Sequence, residues 1–253
     1  GELSEWSDTL SFHTENVLYL APFSIDFEDA AFNSKLNISN SSSINKFIIG
    51  TDANAVYSGT YALYVSDDNS SYHYEIDDES ASNFVTLKTK FPRGKYQISY
   101  DWKGKGESNY DYGRIFLAPL TTNFVASTSA ITGLNAHTIP AGCISLDDND
   151  RLNGVSDWQH KEVTIDITQD NGYQLVIYWR NDYSTGNQPP FALDNLIINK
   201  LACYDAIDSV NVDFINPNSV GFSVYPNASL HDTVGYKITS TIDGTVVASG
   251  VFN

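Results

Sequence analysis

The side chains here that could do chemistry are mostly carboxylates. Asp26, Glu28 and Asp29 stand in the segment Asp26-Phe27-Glu28-Asp29, and Asp194 stands in Ala192-Leu193-Asp194-Asn195. The first segment opens a long series of strand-like stretches and the second closes it. In a closed β-sandwich the first and last strands often pair, so these carboxylates can converge. Hard oxygen ligands from two strand ends suit Ca²⁺, which takes six to eight oxygens. The competing reading is that Asp26 and Glu28 share a solvated strand face, and spacing alone favours it.

Glu75-Ile76-Asp77-Asp78-Glu79 has the E-x-D-x-E spacing of some retaining β-glucan hydrolases. In those enzymes alternate carboxylates on one strand face act as nucleophile, helper and general acid. Retention needs carboxyls about 5–5.5 Å apart, and an i, i+4 pair on a regular strand is farther. Asp78 also stands where such enzymes carry an apolar residue. An acidic turn is the preferred reading, and a hydrolase using Glu75 and Glu79 is the weaker alternative. Asp147-Asp148-Asn149-Asp150 lacks the glycine and the twelfth-position glutamate of an EF-hand, so it reads as a solvated loop. His13, His73, His137, His160 and His231 show no zinc-binding spacing. No G-x-S-x-G elbow occurs. Lys103–Gly106 opens no helix and carries no phosphate-binding pattern.

Tyrosine and tryptophan stack on sugar rings through apolar faces while keeping a polar edge. The chain has 16 Tyr and 13 Phe, but most aromatics lie on strict alternation and are expected in the core. The loop aromatics Tyr72, Tyr74, Tyr110, Tyr112, Trp158 and Tyr183 are the candidates for ligand contact. Cys143 and Cys203 could pair in an oxidising compartment, closing a loop worth about 4 kcal/mol by chain entropy. Two independent buried thiols are the alternative.

The elements that position these residues have a period of two. Tyr96, Ile98, Tyr100 and Trp102 alternate with polar residues, as do Val163, Ile165 and Ile167. Tyr173, Leu175, Ile177 and Trp179 form a third set, alternating with Gln174, Val176, Tyr178 and Arg180. Alternation of this kind places one set of side chains on a buried sheet face. Further strands are expected at Tyr61–Val65, Phe84–Lys88, Arg114–Leu117 and Phe191–Ile198, from their β-branched and aromatic content. Helical signals are poor, and an all-β sandwich follows. A boundary falls near Cys203. Beyond it Val210–Ile215, Val220–Tyr225, Gly235–Thr241 and Val246–Val251 begin a fresh series, with Asp243-Gly244 as a hairpin signal. The organisation is an N-terminal arm over 1–21, a sandwich over 22–201 and a partial β domain over 202–253.

Composition narrows the function. There are 14 Lys+Arg against 31 Asp+Glu, a formal net charge of −17. Such a charge repels phosphate backbones, which argues against nucleic acid as a partner. No apolar run approaches the length that spans a bilayer, so no membrane insertion is expected in this chain. The absence of Met and the opening Gly1-Glu2 suggest a piece of a longer protein. Sequons at Asn37, Asn40, Asn69 and Asn227 mark those segments as loops.

A set of ordered motifs carries a resemblance. Asn45–Gly50 and Leu63–Asp68 come first. Gly94–Trp102, Gly106-Glu107 and Tyr110–Tyr112 continue the order, and Tyr178–Asp182 with Pro189–Asn195 complete it. Together they resemble the cleaved-adhesin, or choice-of-anchor, modules, which are related to MAM-type jelly rolls of bacterial surface proteins. The resemblance spans roughly residues 22–200. It implies a jelly-roll sandwich of the concanavalin A-like kind and a secreted or cell-surface setting. It also implies a non-catalytic role in adhesion or in carbohydrate or matrix contact, with a glycan or a host protein as partner. It further implies a structural Ca²⁺ between Glu28 and Asp194, with Asp26 or Asp29 less directly supported. Phe47 departs from the tryptophan common in the family. The C-terminal piece resembles the start of a fibronectin type III domain from Ala206 onward, but offers Val224 and Tyr225 where that domain carries an inward tryptophan. A structural spacer in a surface protein is the alternative function.

Overall fold

The computed structural model describes residues 18–77, 79–201, 207–216, 219–226, 234–239 and 246–252. Among the described residues, the chain before Cys203 contributes twelve strands and one short helix. In order they are β1 (Tyr19–Leu20), β2 (Phe23–Ile25), α1 (Ala30–Asn33), β3 (Asn37–Ser39), β4 (Lys46–Gly50) and β5 (Ala62–Ser66). The long strands follow: β6 (Ala81–Phe91), β7 (Gly94–Gly104), β8 (Tyr112–Pro119), β9 (Ile144–Ser145), β10 (Val155–Ile167), β11 (Asn171–Asn181) and β12 (Ala192–Lys200). Beyond it lie β13 (Ile207–Asn216), β14 (Ser219–Pro226), β15 (Val234–Thr239) and β16 (Val246–Phe252). These last four pair antiparallel as two hairpins, β13 with β14 and β15 with β16. The Asp243-Gly244 turn signal lies outside the described residues.

Two sheets form a jelly-roll β-sandwich. The first sheet runs β1-β6-β11-β8-β9, with β3 also on β6. The second runs β10-β7-β12-β5-β4, with β2 also on β12. The alternation explains the packing between them. Tyr96, Ile98, Tyr100 and Trp102 of β7 turn inward, as do Leu63 and Val65 of β5 and Leu193, Leu196 and Ile198 of β12. They meet Val85 and Leu87 of β6, Ile115 and Leu117 of β8, and Leu175, Ile177 and Trp179 of β11. Burial of large aliphatic side chains on this scale contributes about 1.5–3 kcal/mol each. Trp179 keeps its polar edge satisfied by donating Nε1–H to Asn181 Oδ1 at 3.1 Å.

The outward faces are not simply solvated. On the first sheet Phe84, Tyr112, Phe116, Ala118, Val176 and Tyr178 face outward yet are buried, because Leu134 and Ala136 of the segment between β8 and β9 lie over them. On the second sheet the chain between β4 and β5 lays Ala55 and Val56 over Ala62, Tyr64 and Ala192. Each sheet therefore has a second, smaller apolar layer.

The layer over the first sheet is anchored by a buried ion pair. Arg114 projects outward from β8, and Asp147 receives its Nε–H at 2.6 Å and an Nη2–H at 3.1 Å. Both side chains are fully buried. Asp147 also accepts the Ile115 N–H at 3.0 Å and the Ser145 hydroxyl at 2.8 Å. Arg114 Nη1 donates to the carbonyls of Asn135 and Thr138. The solvated-loop reading of 147–150 is thus corrected at Asp147, whose charge is buried because it meets a paired guanidinium; Asp148, Asn149 and Asp150 are exposed as expected. Residues 19–21, assigned to an arm by sequence, add to the sandwich: Tyr19 and Leu20 pair parallel with Thr89 and Lys90, and the Ala21 N–H donates to Lys90 at 2.9 Å.

Candidate functional site

The second strand, β2, and the last strand of the sandwich, β12, do meet, while β1 joins the other sheet. Ile25, Ser24 and Phe23 of β2 pair with Leu196, Ile197 and Ile198 of β12. A register shift between Asp194 and Ile197, with Asn195 at φ 48°, bends β12 at this point. Glu28 and Asp194 then address one turn from two sides. Asp194 Oδ2 accepts the N–H groups of Tyr57 and Ser58, both at 3.1 Å. Glu28 Oε1 accepts those of Thr60 and Tyr61 at 2.7 and 2.8 Å. Gly59 sits between at φ +72°, where a Cβ would come within 2.4 Å of Glu28 Oε1. Only glycine fits that position.

Asp194 is 0% exposed, and burial raises its carboxyl pKa; the three backbone N–H donors oppose the rise and the charge of Asp101 adds to it. Asp101 in turn accepts from Asn195 Nδ2 at 3.1 Å and contacts His160 Nδ1 at 2.8 Å. Asp26 and Asp29 turn away to local tasks. Asp26 accepts the Glu28 N–H, and Asp29 caps α1 by accepting from Ala31 N at 2.8 Å. Among the described residues they form no group of three metal-ligating side chains with Glu28 and Asp194. Glu28 and Asp194 are oxygen ligands of the kind Ca²⁺ takes, and in this structure their carboxylates accept backbone N–H groups of the turn and of Asn195.

The candidate aromatics divide sharply. Tyr72, Tyr74 and Tyr112 are buried, so their expectation as ligand contacts is corrected. Each has an internal task. Tyr72 donates to the Pro190 carbonyl at 2.6 Å, Tyr74 donates to Asp111 Oδ2 at 2.6 Å and packs edge-on against Trp179, and Tyr112 packs with Tyr178. Trp158 is half-buried, edge-on to the exposed Tyr57 at 5.4 Å, with Lys103 Nζ 4.8 Å above its ring. That lysine is itself buried and donates to the Asn54 carbonyl; desolvation lowers its pKa, against the pull of Asp52 and Asp157. Tyr110 and Tyr183 remain open, 53% and 69% exposed.

Those two tyrosines flank an acidic knot. Asp111 is 1% exposed and accepts the Tyr74 hydroxyl and the Asp182 N–H at 3.1 Å. Burial lifts its pKa to about 7, against both hydrogen bonds and with help from the charges of Asp182 and Glu107. Glu107 Oε2 accepts the Thr185 hydroxyl at 2.7 Å, and Asp182 Oδ1 accepts the Ser184 N–H at 3.0 Å. The carboxylate oxygens of all three lie within 4.8 Å of one another, and these donors account for the cluster as a junction between two loops.

Glu75 and Glu79 are not on a strand. They lie in the irregular chain between β5 and β6, where Glu75 Oε1 accepts from Asp77 N and Glu79 Oε2 accepts from Ile44 N. No shared strand face aligns them for glycoside chemistry. Cys143 is half-buried against the layer over the first sheet, and burial raises its thiol pKa. Cys203 lies outside the described residues, and so does the proposed pairing.

One concavity was not marked by any motif. It opens on the outer face of the first sheet, where the covering segment stops, and encloses about 780 Å³. Tyr19 and Phe124 line it, with Asn37, Thr86, Asn123 and Gln174 supplying amides and a hydroxyl. Gln174 fixes one wall by donating Nε2–H to the Thr122 carbonyl at 2.6 Å. Tyr19 is held edge-on by Phe32 at 4.7 Å and Phe23 at 5.1 Å. Lys35, Leu87 and Lys88 complete the lining, which among the described residues contains no carboxylate. Its residues come from five separate stretches of the chain, and only the even positions Thr86, Lys88 and Gln174 could have been placed together from strand periodicity.

No protein-family model matches the chain and no curated protein matches it. Solved structures do. The chain is similar to the CBM22-1 xylan-binding domain from Paenibacillus barcinonensis, at 12% identity and TM-score 0.41, covering 73% of this chain and 97% of that one. It is similar to a CBM61 module in complex with β-1,4-galactotriose, at 12% identity and TM-score 0.38, covering 67% and 94%. It is also similar to the Endo-D glycoside hydrolase domain from Streptococcus pneumoniae, at 14% identity and TM-score 0.38, covering 85% and 30%. At such identities and TM-scores these likenesses bear on none of the residues above.

Proposed function

We propose that this chain is a non-catalytic carbohydrate-binding module of a secreted or cell-surface protein, and that it takes its glycan in the cleft between Tyr19 and Phe124. The supporting observation is the cleft itself. Its volume of about 780 Å³ lies within the range typical of small-ligand sites, about 300–1,000 Å³. It combines aromatic surface, which can meet a sugar ring's apolar face, with amide and hydroxyl groups suited to its hydroxyls. The irregular setting of Glu75 and Glu79 favours the non-catalytic reading over a hydrolase.

Adhesion to a glycan-bearing host or matrix surface is the wider role this reading serves, in line with the cleaved-adhesin resemblance. A structural Ca²⁺ at Glu28 and Asp194 belongs to the same proposal, as does a partial fibronectin type III-like domain built from the β13–β16 hairpins. Glycan-array screening of the whole chain, followed by calorimetry, tests the reading. Binding that is lost in Phe124→Ala, measured at a temperature where the variant is still folded, is the expected result; its ring also packs on Phe84 and Phe116, so the melting temperature should fall as well. No binding to any glycan, with or without added Ca²⁺, would overturn it.

A further inference from the structure

We propose that the module carries a second glycan site, a smaller pocket beside Tyr57 on the opposite face of the sandwich, which takes the terminal pyranose ring of a chain. The inference rests on the glycan-binding reading and adds a site to it. The pocket encloses about 400 Å³. That is near the low end of small-ligand sites, about 300–1,000 Å³, and suits a chain end more than a run of units. It is built from one stretch of chain, 51–60, in the connection between β4 and β5. This connection lies over the second sheet through Ala55 and Val56, whereas the cleft opens on the outer face of the first. Both sheets, which pack about 10 Å apart in sandwiches, stand between the two concavities. Each therefore takes its own chain.

The lining has the two kinds of surface a sugar ring needs. Tyr57 is 52% exposed and supplies the aromatic ring, and Thr51, Ser58 and Thr60 supply exposed hydroxyls around it. The ring can meet the apolar face of a pyranose while the hydroxyls meet its rim. Ser58 Oγ donates to Asn195 Oδ1 at 3.0 Å and keeps its lone pairs for a sugar hydroxyl. Thr60 is held in the turn through its backbone N–H, so its hydroxyl takes no part in that bond.

Both ends of the stretch are tied, which fixes the pocket before a ligand arrives. At the front, the Asp52 carboxylate accepts the N–H groups of Tyr72 and Asn54, both at 2.8 Å, and its carbonyl accepts that of Ala55 at 2.8 Å. At the back, Asp194 and Glu28 hold Tyr57, Ser58, Thr60 and Tyr61 through their N–H groups. The Tyr57 ring is braced as well. It stands edge-on to Trp158, which the β10 register shift between Val155 and Gln159 carries and whose ring Lys103 Nζ approaches to 4.8 Å. A wall that is already ordered costs less entropy on binding.

The experiment titrates the whole chain with methyl gluco-, galacto-, manno- and xylopyranoside, read by NMR shift changes, and with short oligosaccharides of the same sugars, read by calorimetry. At least one oligosaccharide should bind at two sites per chain. Tyr57→Ala should weaken one site at least about tenfold and leave the other within about twofold. Tyr57→Phe, which keeps the ring, should retain both. Thr60→Val should weaken the same site about threefold, the loss of one hydrogen bond. Phe124→Ala should remove the other site alone. A single site, lost in Phe124→Ala and untouched by Tyr57→Ala, overturns the inference and leaves the glycan-binding reading standing. Loss of all binding in each of those two variants alone also overturns it, because the two faces would then not act separately. A single site lost in Tyr57→Ala and untouched by Phe124→Ala supports the pocket and overturns the placement in the cleft. Absence of binding to these sugars and to the wider glycan array overturns both.

Discussion

Asp147→Ala should destabilise the sandwich out of proportion to its place in a loop. The carboxylate serves four donors: Arg114 Nε–H, Arg114 Nη2–H, the Ile115 N–H and the Ser145 hydroxyl. Alanine leaves the guanidinium buried without its counter-charge, in a site closed to solvent on both side chains. Removing one partner of such a pair costs about 3–5 kcal/mol. For a domain of this size 1 kcal/mol moves Tm by about 2–4 °C, so the loss should be about 6–20 °C by calorimetry. Urea unfolding should show the same ordering through its midpoint. Asp148→Ala is the matched control. That side chain is exposed and bonds Lys161 at the surface, so its removal should cost about 1 kcal/mol or less. The double change Arg114→Met with Asp147→Leu should recover much of the loss, since the cost lies in the unpaired charge. An Asp147→Ala protein that melts within about 2 °C of the parent would refute the reasoning.

Three further outcomes can be checked. Asp111, with its folded pKa raised to about 7, binds its proton more tightly folded than unfolded. Its contribution is therefore full below about pH 4 and is lost as pH rises through 7, a change of order a few kcal/mol; the raised Asp194 adds to the same trend. Asp111→Asn should flatten that part of the urea-stability profile between pH 4 and 8, and an unchanged slope would assign it elsewhere. Gly59→Ala should lower stability by about 1–3 kcal/mol, because its φ of +72° and the 2.4 Å approach to Glu28 Oε1 leave no room for a methyl group; a neutral substitution would show that the turn yields. Thermal unfolding should rise with added Ca²⁺ and fall in EDTA if an ion binds at Glu28 and Asp194, since a ligand of the native state stabilises it, and superimposable curves would remove the ion.

The long strands were legible because their inward residues alternate without interruption. Tyr96 to Trp102 in β7 is the plainest case, and every residue of that set is in the core. The short strands β1 to β4 and β9 were not marked, because they are too short to display a period; β5, equally short, was marked only by its β-branched and aromatic content. The second layers were only half legible. Val176 and Tyr178 in β11, and Phe84 and Phe116 in the neighbouring strands, put apolar residues on the face that should be polar. That breach went unread in the alternation, and nothing local names the segment that covers the face. The carboxylate turn was foreseeable from first-to-last strand pairing, whereas its use of backbone N–H groups was not. Loop position misled for Tyr72 and Tyr74, because a loop that folds back onto a sheet buries its aromatics as fully as a strand does. The cleft was hidden because it exists only where separate segments leave a gap.

The chain between β8 and β9 carries no strand or helix, the kind of segment often trimmed at little cost. Its fit over Phe84, Phe116, Val176 and Tyr178 makes it the reverse. Trimming it would uncover a broad apolar surface on the face of the first sheet, of the kind that drives association between copies. Shortened variants should therefore fail first through insolubility, before any loss of ligand affinity could be read. The same dependence limits how this loop can diverge: substitutions that keep its contacts with the sheet are tolerated, but deletions across 124–139 are not.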